Sequence, residues 1–395
     1  MKIVGVAEPD DVRRRQAAEI FNLTPNQCFQ TAEELAEKPQ IADLAINGTM
    51  DREHVPTTLP LLSAGYHVLL EKPISPSEQE MFELLDAVRE TQRVVCVCHV
   101  LRHAPFYAEI RRRLADGEIG KIMTLHTAEN VSYHHMAVGF IRGKWNREEV
   151  NPMLLAKCCH DMDLLCWLKS GVAPQRVASF GSLMHFKEEN APAGAGKRCL
   201  VDCRIENTCP YSARKNYIEQ ELWGMYVWHG IEHIADPTLE QKLESLQTDN
   251  PHGRCVWRCD NDVVDHQSVL VEFADGAVAT HDMIGGVSRP CRTIHLLGTE
   301  GEIEGNMEAG TLVIRKPDPR KGHEYSEQQI ELNVSADMHG GGDHRLVKDF
   351  LRLIRGEEPS QSTTSLMDSI HGHQIAYAAD DAMRSRQVVE IHTPA

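Results

Sequence analysis

The sequence predicts an α/β chain, with a parallel sheet wound by helices in its first hundred residues and antiparallel strands in its last third. Two observations carry this. Short apolar runs alternate with helical patterns over residues 2–100, and Asp275-Gly276 separates two alternating runs, 268–273 and 277–283, as a hairpin turn does. A third observation bounds the answer: 395 residues, 42% hydrophobic and 25% charged, is the balance of an ordinary globular protein. At roughly 150 residues per domain, that length accommodates two domains.

Each early element has its own signal. Residues 2–7 form a short apolar run that ends at Glu8-Pro9-Asp10, and 12–21 carry an amphipathic pattern, giving strand then helix. The alternation continues with a strand over 41–47, a helix over 54–64 stopped by Gly65, a strand over 67–71, a helix over 77–89 and a strand over 94–100. Ligands of such sheets sit at the carboxyl ends of the strands, so Glu8, Asn47, Thr49, Glu71, Lys72 and His99 belong on one rim, with His54 opening the next helix. An acid at the end of a strand accepts hydrogen bonds from ribose hydroxyls and repels a 2′-phosphate, so Glu8 favours NAD over NADP, with Arg13 and Arg14 nearby pulling the other way. A Gly-x-Gly-x-x-Gly turn normally precedes that acid by about 20 residues, and here the acid is residue 8. The fold is therefore expected to be a Rossmann-type sheet lacking its first βα unit, with its start upstream of residue 1.

Composition excludes some functions. Lys plus Arg number 41 and Asp plus Glu 58, a net charge of −17, which makes a nucleic acid a poor partner. No apolar run approaches the roughly 18–20 residues that span a bilayer, and the first residues lack signal-peptide order, so the expected location is the cytoplasm. No internal repeat or low-complexity tract appears.

Twelve cysteines are unevenly spread: Cys199, Cys203, Cys209, Cys255 and Cys259 fall in one stretch, residues 197–262, where the ordinary periodicity breaks down. Four thiolates there could hold one tetrahedral zinc ion, against free buried thiols or a redox pair. Residues 129–145 place His135, Arg142 and Trp145 where polar donors beside aromatic rings suit a sugar. His266 at a strand start and His339 before a glycine triplet are further substrate candidates, with Asp343 expected to cap the helix that follows.

Glu71-Lys72-Pro73, preceded by Ala64-Gly65-Tyr66-His67-Val68-Leu69-Leu70, resembles the signature of the Gfo/Idh/MocA oxidoreductases, NAD(P)-dependent enzymes acting mostly on sugars and cyclitols. The resemblance implies a nucleotide domain over 1–120 and an α+β domain over 121–395 built on a large, mostly antiparallel sheet. It also implies Lys72 between nicotinamide and substrate, Glu71 on the cofactor side, and often a cis peptide before the proline. A second stretch, Met153 to Leu165, resembles the family's catalytic helix, which makes His160 a general base with Lys157 and Asp163 on neighbouring faces. Family members usually carry an aspartate four residues before this histidine, and here that residue is Ala156. Some relatives show a similar Arg-Cys, Cys-Pro-Tyr-Ser-Ala and Gly-Arg-Cys series, which favours Cys199, Cys203, Cys209 and Cys255 as the metal set. A homodimer or homotetramer formed through the open sheet face is implied as well.

Three activities stay open from sequence. The first is hydride transfer between NAD(P) and a sugar, glycoside or cyclitol hydroxyl. The second is glycoside cleavage by transient oxidation and elimination, and the third is a non-catalytic binding subunit.

Overall fold

The computed structural model describes residues 1–334 and 339–392. Its N-terminal part comprises β1 (Val6–Ala7), α1 (Asp11–Phe21), β2 (Cys28–Phe29), α2 (Ala32–Ala36), β3 (Leu44–Asn47), α3 (His54–Ser63), β4 (His67–Leu70), α4 (Glu78–Thr91), β5 (Val95–Val97) and α5 (Pro105–Ala115). Local chemistry sets the helix ends. The Asp10 carboxylate accepts the N–H groups of Val12 and Arg13 at the start of α1, and the Ser77 hydroxyl accepts from the N–H of Glu80 in α4.

Strand pairing here is parallel but split in two. Val6 lies opposite Cys28 in a two-stranded piece, while Ile46, Leu69 and Cys96 align across β3, β4 and β5. The run expected as a strand over 2–7 pairs only at Val6 and Ala7. Residues 1–5 instead line a cavity of about 2280 Å³, which also meets β1 and β3, so both strands leave one edge without a ladder partner.

The second part contains β6 (Ile122–Ser132), α6 (Tyr133–His135) running into a π turn over Met136–Ile141, α7 (Met153–Lys169), β7 (Pro174–Ser182), α8 (Gly224–Val227), α9 (Leu239–Gln247), β8 (His266–Phe273), β9 (Val278–Val287), β10 (Cys291–Gly298), β11 (Glu302–Asn306), β12 (Thr311–Pro317), β13 (Tyr325–Glu331), α10 (Asp343–Ile354), α11 (Leu366–Ser385) and β14 (Val389–Glu390). Nine strands form one sheet in the order β13-β12-β11-β10-β6-β9-β8-β7-β14. Every pair is antiparallel except β6 with β9, where Leu125 lies opposite Ala279. Alternation decides the faces: Val269, Val271 and Phe273 of β8 enter the core, while Ser268, Leu270 and Glu272 turn outward. The N-terminal residue of α10 is flanked by Gly342 and has no side-chain cap. Asp343, expected as that cap, instead pairs through its carboxylate with His339 Nδ1 at 3.0 Å.

Helix α7 is buried on all sides, between the sheet and α11. The two helices approach most closely at Gly372, where an added Cβ would stand 2.8 Å from both Cα and N of Asp163. Backbone cannot yield as a flexible side chain does. Gly372→Ala should therefore destabilise the protein by about 1–3 kcal/mol, read as a lower urea midpoint with unchanged slope.

Candidate active site

The segment Glu71-Lys72-Pro73 leaves the end of β4 and is held from several sides. The Lys72–Pro73 peptide is cis. Glu71 N–H donates to Asn47 O at 2.9 Å, His54 Nδ1 donates to Pro73 O at 2.6 Å, and Tyr377 Oη donates to Ser75 O at 2.6 Å. Ile74 N–H donates to Nε2 of His373 at 2.9 Å while His373 Nδ1 lies 3.1 Å from Ser369 O, which fixes a neutral tautomer. Burial pushes that imidazole down to about 3. From this frame the Lys72 ammonium reaches α7 and donates to Ala156 O at 2.9 Å. The main chain thus partners the lysine one helical turn before His160.

His160 is buried, its Nδ1 has no hydrogen-bond partner among the described residues, and its ring lies 5.7 Å from that of His99 and 6.1 Å from that of His339. Burial first, then the Lys72 charge, hold its pKa well below the usual histidine range, so it stands unprotonated and able to accept a proton. His99 is likewise kept neutral by burial and then by Arg102.

These features coincide with matches along the whole chain. Residues 1–99 match the model of the oxidoreductase family's NAD-binding Rossmann fold, and residues 111–392 match that of the family's C-terminal α/β domain. The chain belongs to the Gfo/Idh/MocA oxidoreductase family. Bacillus subtilis YteT, which carries the name of an oxidoreductase, is 26% identical over 330 residues, 80% of this chain and 73% of its own. Inositol 2-dehydrogenase of Corynebacterium glutamicum is 25% identical over 275 residues, covering 69% and 73% of the two chains. Levoglucosan dehydrogenase, solved in complex with NADH, shares the fold with a TM-score of 0.70 at 16% identity, over 100% of this chain and 91% of that one.

Several residues expected at the site of this Gfo/Idh/MocA chain have other work. Asp163, expected at the substrate, is buried and accepts two bonds from Arg102, one at 2.7 Å from Nε. Arg142, also expected there, is buried against the cysteine-rich stretch, donating to Arg254 O at 2.7 Å, Tyr211 O at 2.9 Å and Tyr217 Oη at 3.1 Å. His266 lies on the outward face of the sheet with Ser268 and Leu270, away from α7, and contacts Asp265 at 2.9 Å. Lys157 pairs with Glu129 at 3.1 Å, at the head of a chain that continues through Arg292 to Asp161.

On the cofactor side, Asn47 is buried and its amide donates to His54 O, Thr57 and Thr58, while its Oδ1 accepts from Thr49 Oγ1 at 2.8 Å. Asn47 and His54, expected to touch cofactor, therefore shape the loop that presents Thr49; the other His54 nitrogen bonds Thr49 O at 3.0 Å. Glu8, Thr49 and Trp145 line the large cavity, whereas neither Lys72 nor His160 does. That cavity extends between the open edges of β1 and β3 of the NAD-binding fold. Glu71 is exposed at the rim and Glu8 is half-buried there. His339, a substrate candidate from sequence, has its ring 6.1 Å from that of His160, and Met338 beside it lies outside the described residues.

Sequence reasoning missed an aromatic wall. The His135 ring packs 4.3 Å from Trp223 at 30°, Trp223 donates through Nε1 to His134 Nδ1 at 2.9 Å, and Tyr226 sits between Trp223 and Trp145 at about 6 Å from each. Trp145 stacks on Phe140 and donates its Nε1 to Asp51 at 2.9 Å. Trp223 and Tyr226 come from the irregular stretch after residue 197, where no periodicity gave them a face. The i, i+3 aromatic spacing was the only available signal.

Two measurements test these placements. Asp163→Ala leaves Arg102 buried without a counter-charge and should cost about 3–5 kcal/mol in chemical unfolding, far beyond any effect on substrate KM in protein that remains folded. His99, His160, His103, His252 and His373 are buried with lowered pKa values, about 4 for His103 and His252, burial being the main cause in each. Below the unfolded value of ~6.5 the unfolded chain binds protons these groups refuse, so each costs up to about 1.4 kcal/mol of stability per pH unit as pH falls toward its folded value. Thermal melts should fall steeply between pH 6.5 and ~5, since a typical domain holds only about 5–15 kcal/mol.

Proposed function

We propose that this chain transfers a hydride between NAD and a carbinol carbon of a sugar or cyclitol. The single observation behind this reading is the convergence of Lys72, anchored on Ala156 O, with the neutral, unpartnered Nδ1 of buried His160 on the same helix. The residues present fit a dinucleotide at its two ends. Glu8 would accept the adenosine ribose hydroxyls, and Thr49, Glu71 and Lys72 would meet the nicotinamide end. Residues 1–395 contain no Gly-x-Gly-x-x-Gly turn for the pyrophosphate between them. Both arginines that could read a 2′-phosphate are engaged, Arg13 with Glu232 at 2.8 Å and Arg14 with Glu8 O at 2.5 Å, which supports NAD over NADP.

NAD, when bound, supplies the two-electron hydride acceptor. His160 takes the hydroxyl proton as the carbon–oxygen bond becomes a carbonyl, and the Lys72 ammonium holds the oxygen and offsets its developing negative charge. His339 and the ring of His135 offer polar contacts for neighbouring hydroxyls, and the faces of Trp223 and Tyr226 suit the C–H surface of a sugar ring. The relatives that act on inositol and related diols agree in substrate class. The outward sheet face, with Phe180, Leu270 and Ile284 exposed, supports assembly with a second copy.

A panel of cyclitols, sugars and glycosides assayed for NADH appearance tests the reading, alongside calorimetry with NAD and NADP. Lys72→Ala and His160→Ala should each lower kcat about 100-fold or more; NAD binding should be unchanged in His160→Ala and weakened far less than turnover in Lys72→Ala. Equal losses in turnover and NAD binding would remove the assigned roles. Glycoside cleavage without accumulating NADH would select the elimination chemistry instead.

A further inference from the structure

Between β7 and β8 the chain makes a long excursion with little core of its own. Its apolar cluster is Val138, Cys199, Ala213, Tyr217, Val227 and Leu246, and its regular structure is limited to short turns, α8 and α9. So small a core does not hold a segment of this length unaided. Two points draw its ends together. Cys199 N–H donates to Gly253 O and Cys255 N–H to Lys197 O, both at 2.9 Å, and Gly253 lies so close to the chain that a Cβ there would meet Leu246 O at 1.9 Å. That short antiparallel contact sets Cys199 beside Cys255 across a gap of 55 residues.

The four cysteines Cys199, Cys203, Cys209 and Cys255 line one small, partly open void of about 10 Å³, the room of a single small atom. The buried guanidinium of Arg142 donates to Cys199 Sγ at 3.4 Å. Four thiolates around a divalent ion carry a net charge of −2, which an adjacent arginine offsets. Cys259 is turned away, its thiol donating to Cys255 O at 3.3 Å.

We propose that Cys199, Cys203, Cys209 and Cys255 bind one structural zinc ion that closes the excursion and thereby holds Trp223 and Tyr226 in the site wall. No three of these sulfurs stand within 4.8 Å of one another among the described residues, so the proposal requires them to draw inward onto the ion. A different trio, Cys158, Asp161 and His281, brings its donor atoms within 4.8 Å in the core under the sheet. There the Arg292 guanidinium already neutralises Asp161 at 3.0 Å, so that trio needs no added cation.

Full-length protein is dialysed against a competing chelator and its zinc is measured by mass spectrometry. Wild type should keep about one equivalent, and Cys203→Ser and Cys209→Ser less than a tenth of that, while Cys259→Ser and Cys158→Ser match wild type. Cobalt-substituted wild type, which needs no variant to fold, should show the intense sulfur-to-metal charge-transfer band of a four-thiolate tetrahedral site. Less than a tenth of an equivalent in wild type, a cobalt spectrum without that band, or metal that leaves with Cys158→Ser and survives Cys203→Ser would each overturn the proposal.

Discussion

The grip on residues 71–75 is the constraint from which the site follows. Three groups from two helices take hold of consecutive carbonyl and amide groups: His54 of α3, and His373 and Tyr377 of α11. Because α11 also packs along α7 and β7, the loop that carries Lys72 is referenced to the same helix pair that carries His160. A lysine on a free loop would sample many positions, and rate falls quickly when a reacting group strays by an ångström. Here the reach from Lys72 to Ala156 O is set by backbone hydrogen bonds on both sides.

The electrostatics around this frame have a common logic. His99, His160 and His373 are held neutral by burial, whereas the enclosed Arg102 and Arg292 are kept charged by opposite partners, Arg102 by Asp163 and Arg292 by Asp161 and Glu129. These two arginines thus sit in balanced pairs, while the Lys72 ammonium reaches Ala156 O on the helix that carries His160. Under the proposed activity, a hydroxyl placed there would meet a positive charge and a proton acceptor, the polarity alcohol oxidation requires.

Much of the fold was legible because its signals are local. The alternation of apolar runs located β3, β4, β5 and their helices to within a few residues, and Asp275-Gly276 marked the hairpin between β8 and β9. Residues 2–5 failed as a strand because a ladder needs a partner, and pattern cannot report one. The site was half legible. Motif and helix spacing marked Lys72 and His160 as candidates, and the structure brings them to one helix, but Asp163 and Arg142 have the same residue types as substrate-binding groups and were sorted only by what they touch across more than sixty residues of sequence. His266 went astray for a different reason: period two says that a residue alternates, and the packing of α7 and α11 says which face is open.

The single parallel pairing in the large sheet, β6 with β9, bears on how this chain comes to be folded. Leu125 and Ala279 are 154 residues apart, yet they sit side by side at the middle of the sheet. A ribosome must therefore complete α7, β7, the cysteine-bearing excursion and the β8 hairpin before the central strand finds its neighbour. Until then β6 exposes an open edge and an apolar face, the kind of surface that chaperones bind and that neighbouring nascent chains can pair with. Slow, chaperone-sensitive maturation is thus written into the order in which the strands leave the ribosome.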